Sequence, residues 1–316
     1  MKNTSTAAYG GPGWSPRTTR LVDEIGSIWG DYSVASECSP LDAVLIHQPG
    51  AELANLNDPD QSQMLAAPNP DLLNRQHLQL ADAYGEQGVE VFYVEPSALP
   101  TPNQMFVADL MFMTPSGVIL GRPASTVRAG EERWVARRLA DLGVPIIRSV
   151  GGNGTFEGAD AAWLNPSMVL VGRGLRTNSD GAAQVSSTLW ELGIASQIVD
   201  LPNSAMHLMG SIRIVDNDLA FVRSGGLPWT AIEVLRQNGF EVRFFPSEDE
   251  MTNGMGHNFV TLAPRKVLMP AGNPLTKKAL NEVGVTTVTV DVGEVAKAAG
   301  AIGCLTGILS REAVAR

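Results

Sequence analysis

The sequence predicts an α/β fold of five repeated units, set as the blades of a ring: a five-bladed propeller. Two periodicities carry that expectation. Asp109, Glu157, His207, His257 and Cys304 follow one another at separations of 48, 50, 50 and 47 residues. Gly88, Gly143, Gly193, Gly239 and Gly284 are spaced by 55, 50, 46 and 45, each just before a short apolar run such as VEVFYV or VTTVTVDV. Periods of this size mark repeated supersecondary units, which cannot bury their own apolar faces and so share a core. A doubly wound sheet with an accidental period is the competing arrangement, since helix and strand alternate in both.

Taken in order, residues 1–40 read as an N-terminal extension, loose to about residue 15 and with a helix over Pro16 to Trp29 packed on the outside. A single catalytic domain is expected over 41–316. LDAVLIHQPG opens it as a strand, and a long polar stretch from Glu52 to Pro70 follows, a candidate lid. The helix LLNRQHLQLADAYGEQG then ends at Gly88, where a left-handed cap is wanted. Four hairpins come next, in ADLMFMTPSGVILGRP, DAAWLNPSMVLVGR, SIRIVDNDLAFVRS and NFVTLAPRKVLMPA, turning at PSG, NPS, DND and APR. After each hairpin comes a helical pattern with apolar residues at three- and four-residue steps, as in EERWVARRLADLG. CLTGIL reads as a closing strand that completes the ring beside the first.

Composition narrows the partners. With 316 residues, 44% of them hydrophobic, the chain buries a large core. A net charge of −10 without a basic stripe weighs against nucleic acid and anionic membranes. No apolar run approaches a membrane span, and MKNTSTAAYGGPGWSPRTTR lacks the apolar centre of a signal peptide. Two cysteines suit a reducing compartment, so the cytoplasm is expected. Cys38 reads as incidental. A homodimer is the default assembly.

In a ring, residues at one phase of the repeat meet at the axis. That would gather a thiol, imidazoles and carboxylates. Cys304 follows small residues in GAIGCLTG that leave room for a ligand, and a thiolate attacks electrophilic carbon when a base or cation helps to form it. His207 in SAMHLMGS is the candidate partner, although a histidine between apolar residues is more often a satisfied core group. Asp109 in MFVADLMFM and Glu157 and Asp160 in FEGAD are acids flanked by apolar strands. They are costly to bury unless they hold a cation or orient a histidine. Carboxylates around a Cys–His pair suit a planar cation, and guanidinium is the obvious one. A metal is not expected, because the four histidines and two distant cysteines lack a ligand spacing.

These motifs resemble the pentein superfamily of guanidine-modifying proteins, five-bladed α/β propellers. Within it the likeness is to dimethylarginine dimethylaminohydrolases and arginine deiminase-like hydrolases, and runs from about Leu41 to Leu309. PNQMFVAD resembles the family's first acidic motif, which implies that Asp109 holds the guanidinium, with Phe106 beside it. FEGAD looks like the acidic glutamate motif. It gives Glu157 the task of positioning substrate or histidine and places Asp160 with the substrate-binding groups. HL at His207 is similar to the general acid/base motif, and GAIGCLT to the nucleophile loop at Cys304. The resemblance also places Arg128 and Arg176, the latter in RTN, on the substrate's carboxylate, as two-pronged donors. It gives the strand after His257 an asparagine role, which Asn258 fits.

Four departures stand out: Ala108, Ala159, Met209 and Gly303, where many relatives carry an acid, a glycine, an aspartate and a bulkier residue. These changes cost the pocket acceptors for an unsubstituted guanidinium, and Met209 adds apolar surface, which disfavours plain arginine deiminase activity and leaves an N-substituted arginine or another amidine-like substrate open. The implied reaction is attack of Cys304 on the guanidinium carbon, with His207 protonating the departing amine. Hydrolysis of the thiouronium adduct to citrulline and an amine follows, without a cofactor. The alternatives are an amidinotransferase, an arginine deiminase or dihydrolase, a hydrolase of an amidine-like heterocycle, and a non-catalytic propeller such as translation initiation factor six.

Overall fold

The computed structural model describes residues 6–54, 56 and 58–313. The described residues form five three-stranded sheets, and four of them share one plan. Strands β1 (Leu41–Ile46) and β2 (Glu90–Tyr93) run parallel, joined through the helix Pro70–Glu86. The second blade is β3 (Met111–Thr114), β4 (Gly117–Leu120) and β5 (Ile146–Ser149). The third is β6 (Ala161–Asn165), β7 (Met168–Arg173) and β8 (Ala195–Asp200). The fourth is β9 (Ile212–Asp216), β10 (Leu219–Val222) and β11 (Glu241–Phe244). The fifth is β12 (Val260–Ala263), β13 (Lys266–Pro270) and β14 (Thr286–Val290). In each of these four blades the middle strand pairs antiparallel with its predecessor and parallel with its successor. A parallel partner requires a crossover, and a helix supplies it every time.

The turns fall where the residues placed them, between Thr114 and Gly117, Asn165 and Met168, Asp216 and Leu219, and Ala263 and Lys266. All five periodic glycines are left-handed: φ is 79° at Gly88, 75° at Gly143, 76° at Gly193, 88° at Gly239 and 79° at Gly284. That conformation disfavours a side chain, so glycine ends each crossover helix and frees the chain to turn into the next strand.

The first blade lacks a hairpin of its own. Its third strand is β15 (Gly307–Arg311), which pairs antiparallel with β1, Leu41 opposite Arg311 and Leu45 opposite Gly307. The two ends of the chain thus close the ring. Val44, Leu45, Ile119, Val169, Leu170, Val267 and Leu268 of the strands are fully buried, and Leu80, Leu139, Leu189, Leu235 and Leu280 pack onto them from the helices.

Two expectations change. The outer helix over Pro16 to Trp29 shrinks to the single turn Leu21–Glu24, because Pro16 and Gly26 bracket too short a run and Arg17 is drawn instead into an ion pair with Glu24. The closing strand begins at Gly307 and not at Cys304: Ile302–Leu305 is a helical turn. Of the stretch expected to be loose, residues 1–5 lie outside the described residues. Among the described residues no helix is long and apolar enough to cross a membrane.

Candidate active site

The phased residues share one structural position, the turn just before the first strand of a hairpin or its equivalent. Asp109 lies on the turn Val107–Leu110 ahead of β3, Glu157 and Asp160 flank Gly158 and Ala159 ahead of β6, and His207 precedes the turn Leu208–Gly210 ahead of β9. His257 and Asn258 lead into β12, and Cys304 sits on its turn ahead of β15. One end of the ring thereby collects all of them. Cys304, His207, Asp109, Arg128, Arg176 and Phe106 line a single narrow cavity of about 30 Å³. Gln63 lines it too, from the stretch between Glu52 and Pro70, which is fastened nearby by the Asn103 amide donating to the Ser62 carbonyl at 2.8 Å.

The acids are held tightly. Glu157 is fully buried; its Oε2 lies 2.6 Å from His207 Nε2 and its Oε1 accepts the Ala124 amide at 3.1 Å. Arg128 Nη1 donates to Asp109 Oδ2 at 2.6 Å and to Glu157 Oε2 at 3.4 Å, and Nε reaches Glu131 at 2.9 Å. Arg176 Nη1 is 3.5 Å from Glu157 Oε1. Burial opposes ionisation of Glu157, but the hydrogen bond and charge of His207, with Arg128 and Arg176, hold its carboxyl well below the usual range. Burial likewise works against a charged His207, yet Asp109, Glu157 and Asp160 push its pKa up. Asp109 Oδ1 is buried without a hydrogen-bond partner, an acceptor in want of a donor.

Asp160 has a different setting from Asp109. Its buried carboxylate accepts the Thr177 hydroxyl at 2.6 Å and the Leu208 amide at 2.9 Å, and burial raises its pKa to about 6. It ties the third blade to the turn that carries His207. The donor atoms of Asp109, Glu157 and His207 lie within 4.8 Å of one another, a spacing that suits a cation. The Arg128 guanidinium already brings positive charge to both carboxylates.

Around the sulfur, Asn258 Nδ2 donates to Cys304 Sγ at 2.9 Å and Asn258 Oδ1 accepts the Cys304 amide at 3.2 Å. Burial and the charge of Asp109 raise the Cys304 thiol pKa, while the hydrogen bonds from Asn258 and Ala301 and the charge of Arg213 pull it down. Arg213 is the group sequence reasoning missed, a cation in the apolar run SIRIVD at no phase of the repeat. Its Nε donates to the His257 carbonyl at 2.8 Å and its Nη2 is buried without a partner. His257 lines a second space that also reaches Cys304 and His207; its Nδ1 is buried without a hydrogen-bond partner, and burial drives its pKa down to about 3. The other thiol, Cys38, is buried 3.4 Å from Asn217 Oδ1.

A closed ring of five α/β blades, with a cysteine, a histidine and carboxylates at one end of its hub, defines a pentein. The family model for arginine deiminase matches residues 55–238. A dimethylarginine dimethylaminohydrolase of Streptomyces coelicolor is 30% identical over 226 residues, covering 71% of this chain and 81% of that protein. The chain belongs to the arginine deiminase family. Among solved structures, the dimethylarginine dimethylaminohydrolase of Pseudomonas aeruginosa complexed with citrulline superposes with a TM-score of 0.72 at 20% identity, over 84% of this chain and 98% of that one. An amidinotransferase of Microseira wollei from the saxitoxin biosynthetic pathway reaches 0.76 at 14% identity, over 90% and 98%. At these identities the two structures speak for the fold.

Proposed function

We propose that this protein is a cysteine-dependent hydrolase of an N-substituted arginine, yielding citrulline and an amine. The observation that carries the reading is the unpartnered Asp109 Oδ1 in the same cavity as Cys304 and His207, with His207 hydrogen-bonded to a buried carboxylate. A planar guanidinium seated there gives Asp109 Oδ1, which lies 3.8 Å from His207 Nε2, a hydrogen-bond donor beside the one Arg128 gives Oδ2, and sets the guanidinium carbon before Sγ. Arg176, with one long contact to Glu157, has N–H groups to spare for the substrate's carboxylate; Arg128, engaged by Asp109 and Glu131, supplies charge beside it. Phe106 forms a wall, 5.9 Å from its ring centre to the Arg128 guanidinium carbon. Asp160 serves by holding the His207 turn.

In the first step the Cys304 thiol releases its proton to solvent beside the cationic substrate, Sγ bonds to the guanidinium carbon, and the nitrogen that leaves takes the His207 proton. In the second, water adds to the thiouronium carbon, gives one proton to His207 and the other to the sulfur, and the C–S bond breaks. Both cysteines are free thiols, which fits the cytoplasm as the compartment; we expect a homodimer there.

The test is incubation with arginine, monomethylarginine, dimethylarginine and short guanidino acids, assaying ureido product, ammonia and alkylamine separately. Citrulline with alkylamine in equal amounts is expected. Ammonia and ornithine from arginine, or transfer to an added amine without citrulline, would replace this reading with a dihydrolase or an amidinotransferase.

A further inference from the structure

Two spaces meet at Cys304. The first, of about 30 Å³, holds Asp109, Arg128 and Arg176. The second is far larger, about 510 Å³, and shares Cys304, His207, Met206 and Ala299 with the first. Asp109, Arg128 and Arg176 line only the narrow space, so the groups proposed for the guanidinium plane and the carboxylate all lie on that side of Cys304. Its walls include Met209, Met251 and Met255, and the small residues Ala205, Gly225 and Gly226 leave it open. Thioether chains adapt to apolar ligands of variable shape. His257 belongs to this wall, and its Nδ1 is buried with no hydrogen-bond partner. Burial keeps that ring neutral, so it adds no charge to the lining. Arg223 and Glu248, also lining the space, form an ion pair with each other.

A space of this size is poorly matched to dimethylamine, which has three heavy atoms. Ligand cavities of about 300–1,000 Å³ take molecules many times larger. The groups common to both spaces decide which part of a substrate enters. Cys304 bonds to the guanidinium carbon, and His207 gives its proton to the nitrogen that leaves. A substituent on that nitrogen therefore projects from the narrow space past His207 into the wide one.

We propose that the wide cavity receives the departing amine, and that the substrate is an arginine whose leaving nitrogen carries an extended, mainly apolar group larger than methyl. This rests on the hydrolase reading above and names the substrate class for it. The Cys304 thiol releases its proton to solvent as the cationic substrate binds, the Sγ–C bond forms as the bond from that carbon to the substituted nitrogen breaks, and the proton of His207 goes to that nitrogen. Water then adds to the carbon; one of its protons returns to His207 and the other goes to the sulfur as the C–S bond breaks, which restores the thiol and leaves the ureido product.

The test uses arginines bearing methyl, butyl, hexyl or phenethyl on a terminal guanidine nitrogen. Full burial of one methylene corresponds to about a fourfold gain; kcat/KM is expected to rise at least about tenfold from methyl to hexyl as the chain enters the cavity. Ala205 and Thr252 both line the wide cavity and make none of the contacts proposed for the chemistry, so Ala205→Phe and Thr252→Trp narrow it there. They should abolish the gain for hexyl and phenethyl while leaving the methyl substrate within about twofold of wild type. A kcat/KM that falls from methyl to hexyl in the wild-type protein overturns the proposal, as does an equal loss on all substrates in both variants. A parallel arm separates the two layers of inference by measuring labelling of Cys304 by 2-chloroacetamidine and by its N-hexyl derivative. Faster labelling by the hexyl probe without turnover of any arginine keeps the cavity and removes the hydrolase; slower labelling removes the cavity.

Discussion

Asn258 holds Cys304 at two points: its Nδ2 lies 2.9 Å from the sulfur and its Oδ1 accepts the cysteine's own amide at 3.2 Å. One planar amide thus fixes both the nucleophile's charge and the turn that presents it. The side chain arrives from the start of the fifth blade and the sulfur from the turn that leads into the strand closing the first, so the contact exists only once the ring is shut. A hydrogen bond to a charged acceptor contributes about 2 kcal/mol. Asn258→Ala is therefore expected to lower kcat/KM roughly thirtyfold and to move the pH midpoint of Cys304 alkylation upward. Asn258→Asp should move the midpoint further, since a carboxylate there opposes the thiolate. An unchanged alkylation profile in both variants would refute the assignment.

The protonation of the pair gives a second expectation. Burial and Asp109 raise the thiol of Cys304. Against the effect of burial, the carboxylates of Asp109, Glu157 and Asp160 lift His207 to about 9. At neutral pH the resting pair is thus thiol and imidazolium, and the imidazolium already carries the proton the leaving amine needs. A cationic amidine beside Asp109 offsets that carboxylate and favours the thiolate, whereas a neutral alkylating agent does not. Labelling by 2-chloroacetamidine should show a midpoint at least about one unit below that of iodoacetamide. Turnover should fall as pH rises through about 9 and His207 loses its proton. Coincident midpoints for the two reagents would disprove this.

Glu157 is the buried centre of the charge network, in contact with Arg128, Arg176 and His207. Glu157→Gln leaves three cationic groups with one carboxylate fewer, and breaking such a buried set costs about 3–5 kcal/mol. The folded carboxyl is held below its ordinary value, so its contribution to stability is present at neutral pH and is lost as pH falls below about 4. Urea denaturation should show a gap between wild type and variant at pH 7 that narrows in acid. The His207 imidazole, followed by NMR, should titrate at lower pH in the variant. A gap independent of pH would show that the carboxylate's charge is not what stabilises the fold.

The ring was legible because its physics repeats. Each blade has a left-handed glycine after its helix, and four of the five have an apolar hairpin before it, so Gly88 through Gly284 and the four hairpins report the plan separately. Asp109, Glu157, His207 and Cys304 were legible for the same reason, since one phase of the repeat is one place in space. Arg213 breaks that logic: it lies within β9, and its side chain reaches the Cys304 turn only through the tertiary structure. Asp160 keeps the phase yet turns toward Thr177 and Leu208, a direction that spacing does not encode. The turn at Ile302–Leu305 reads as a strand by its apolar residues and is helical because it wraps around Asn258.

Gly303 shows how the missed arginine shapes the nucleophile loop. A Cβ at this position would collide with Arg213 Nη2 and lie 2.7 Å from Asn258 Oδ1. Glycine at 303 thus fits the space that Arg213 and Asn258 leave, and burial lowers the pKa of Arg213 only to about 10, which leaves it charged at neutral pH. Overpacking of this kind costs about 1–3 kcal/mol, so Gly303→Ala should destabilise the protein by that amount and displace the Asn258 clasp. Arg213→Ala removes the obstacle, and in that background the same glycine substitution should cost less than about 0.5 kcal/mol. Activity behaves differently: the double variant regains stability but not turnover, because the positive charge near the thiolate has gone. A double-mutant cycle by urea denaturation, read beside Cys304 labelling rates, tests both halves. Additive stabilities would mean that the arginine and the glycine do not meet, and a double variant of wild-type reactivity would mean that the charge of Arg213 does nothing for the sulfur.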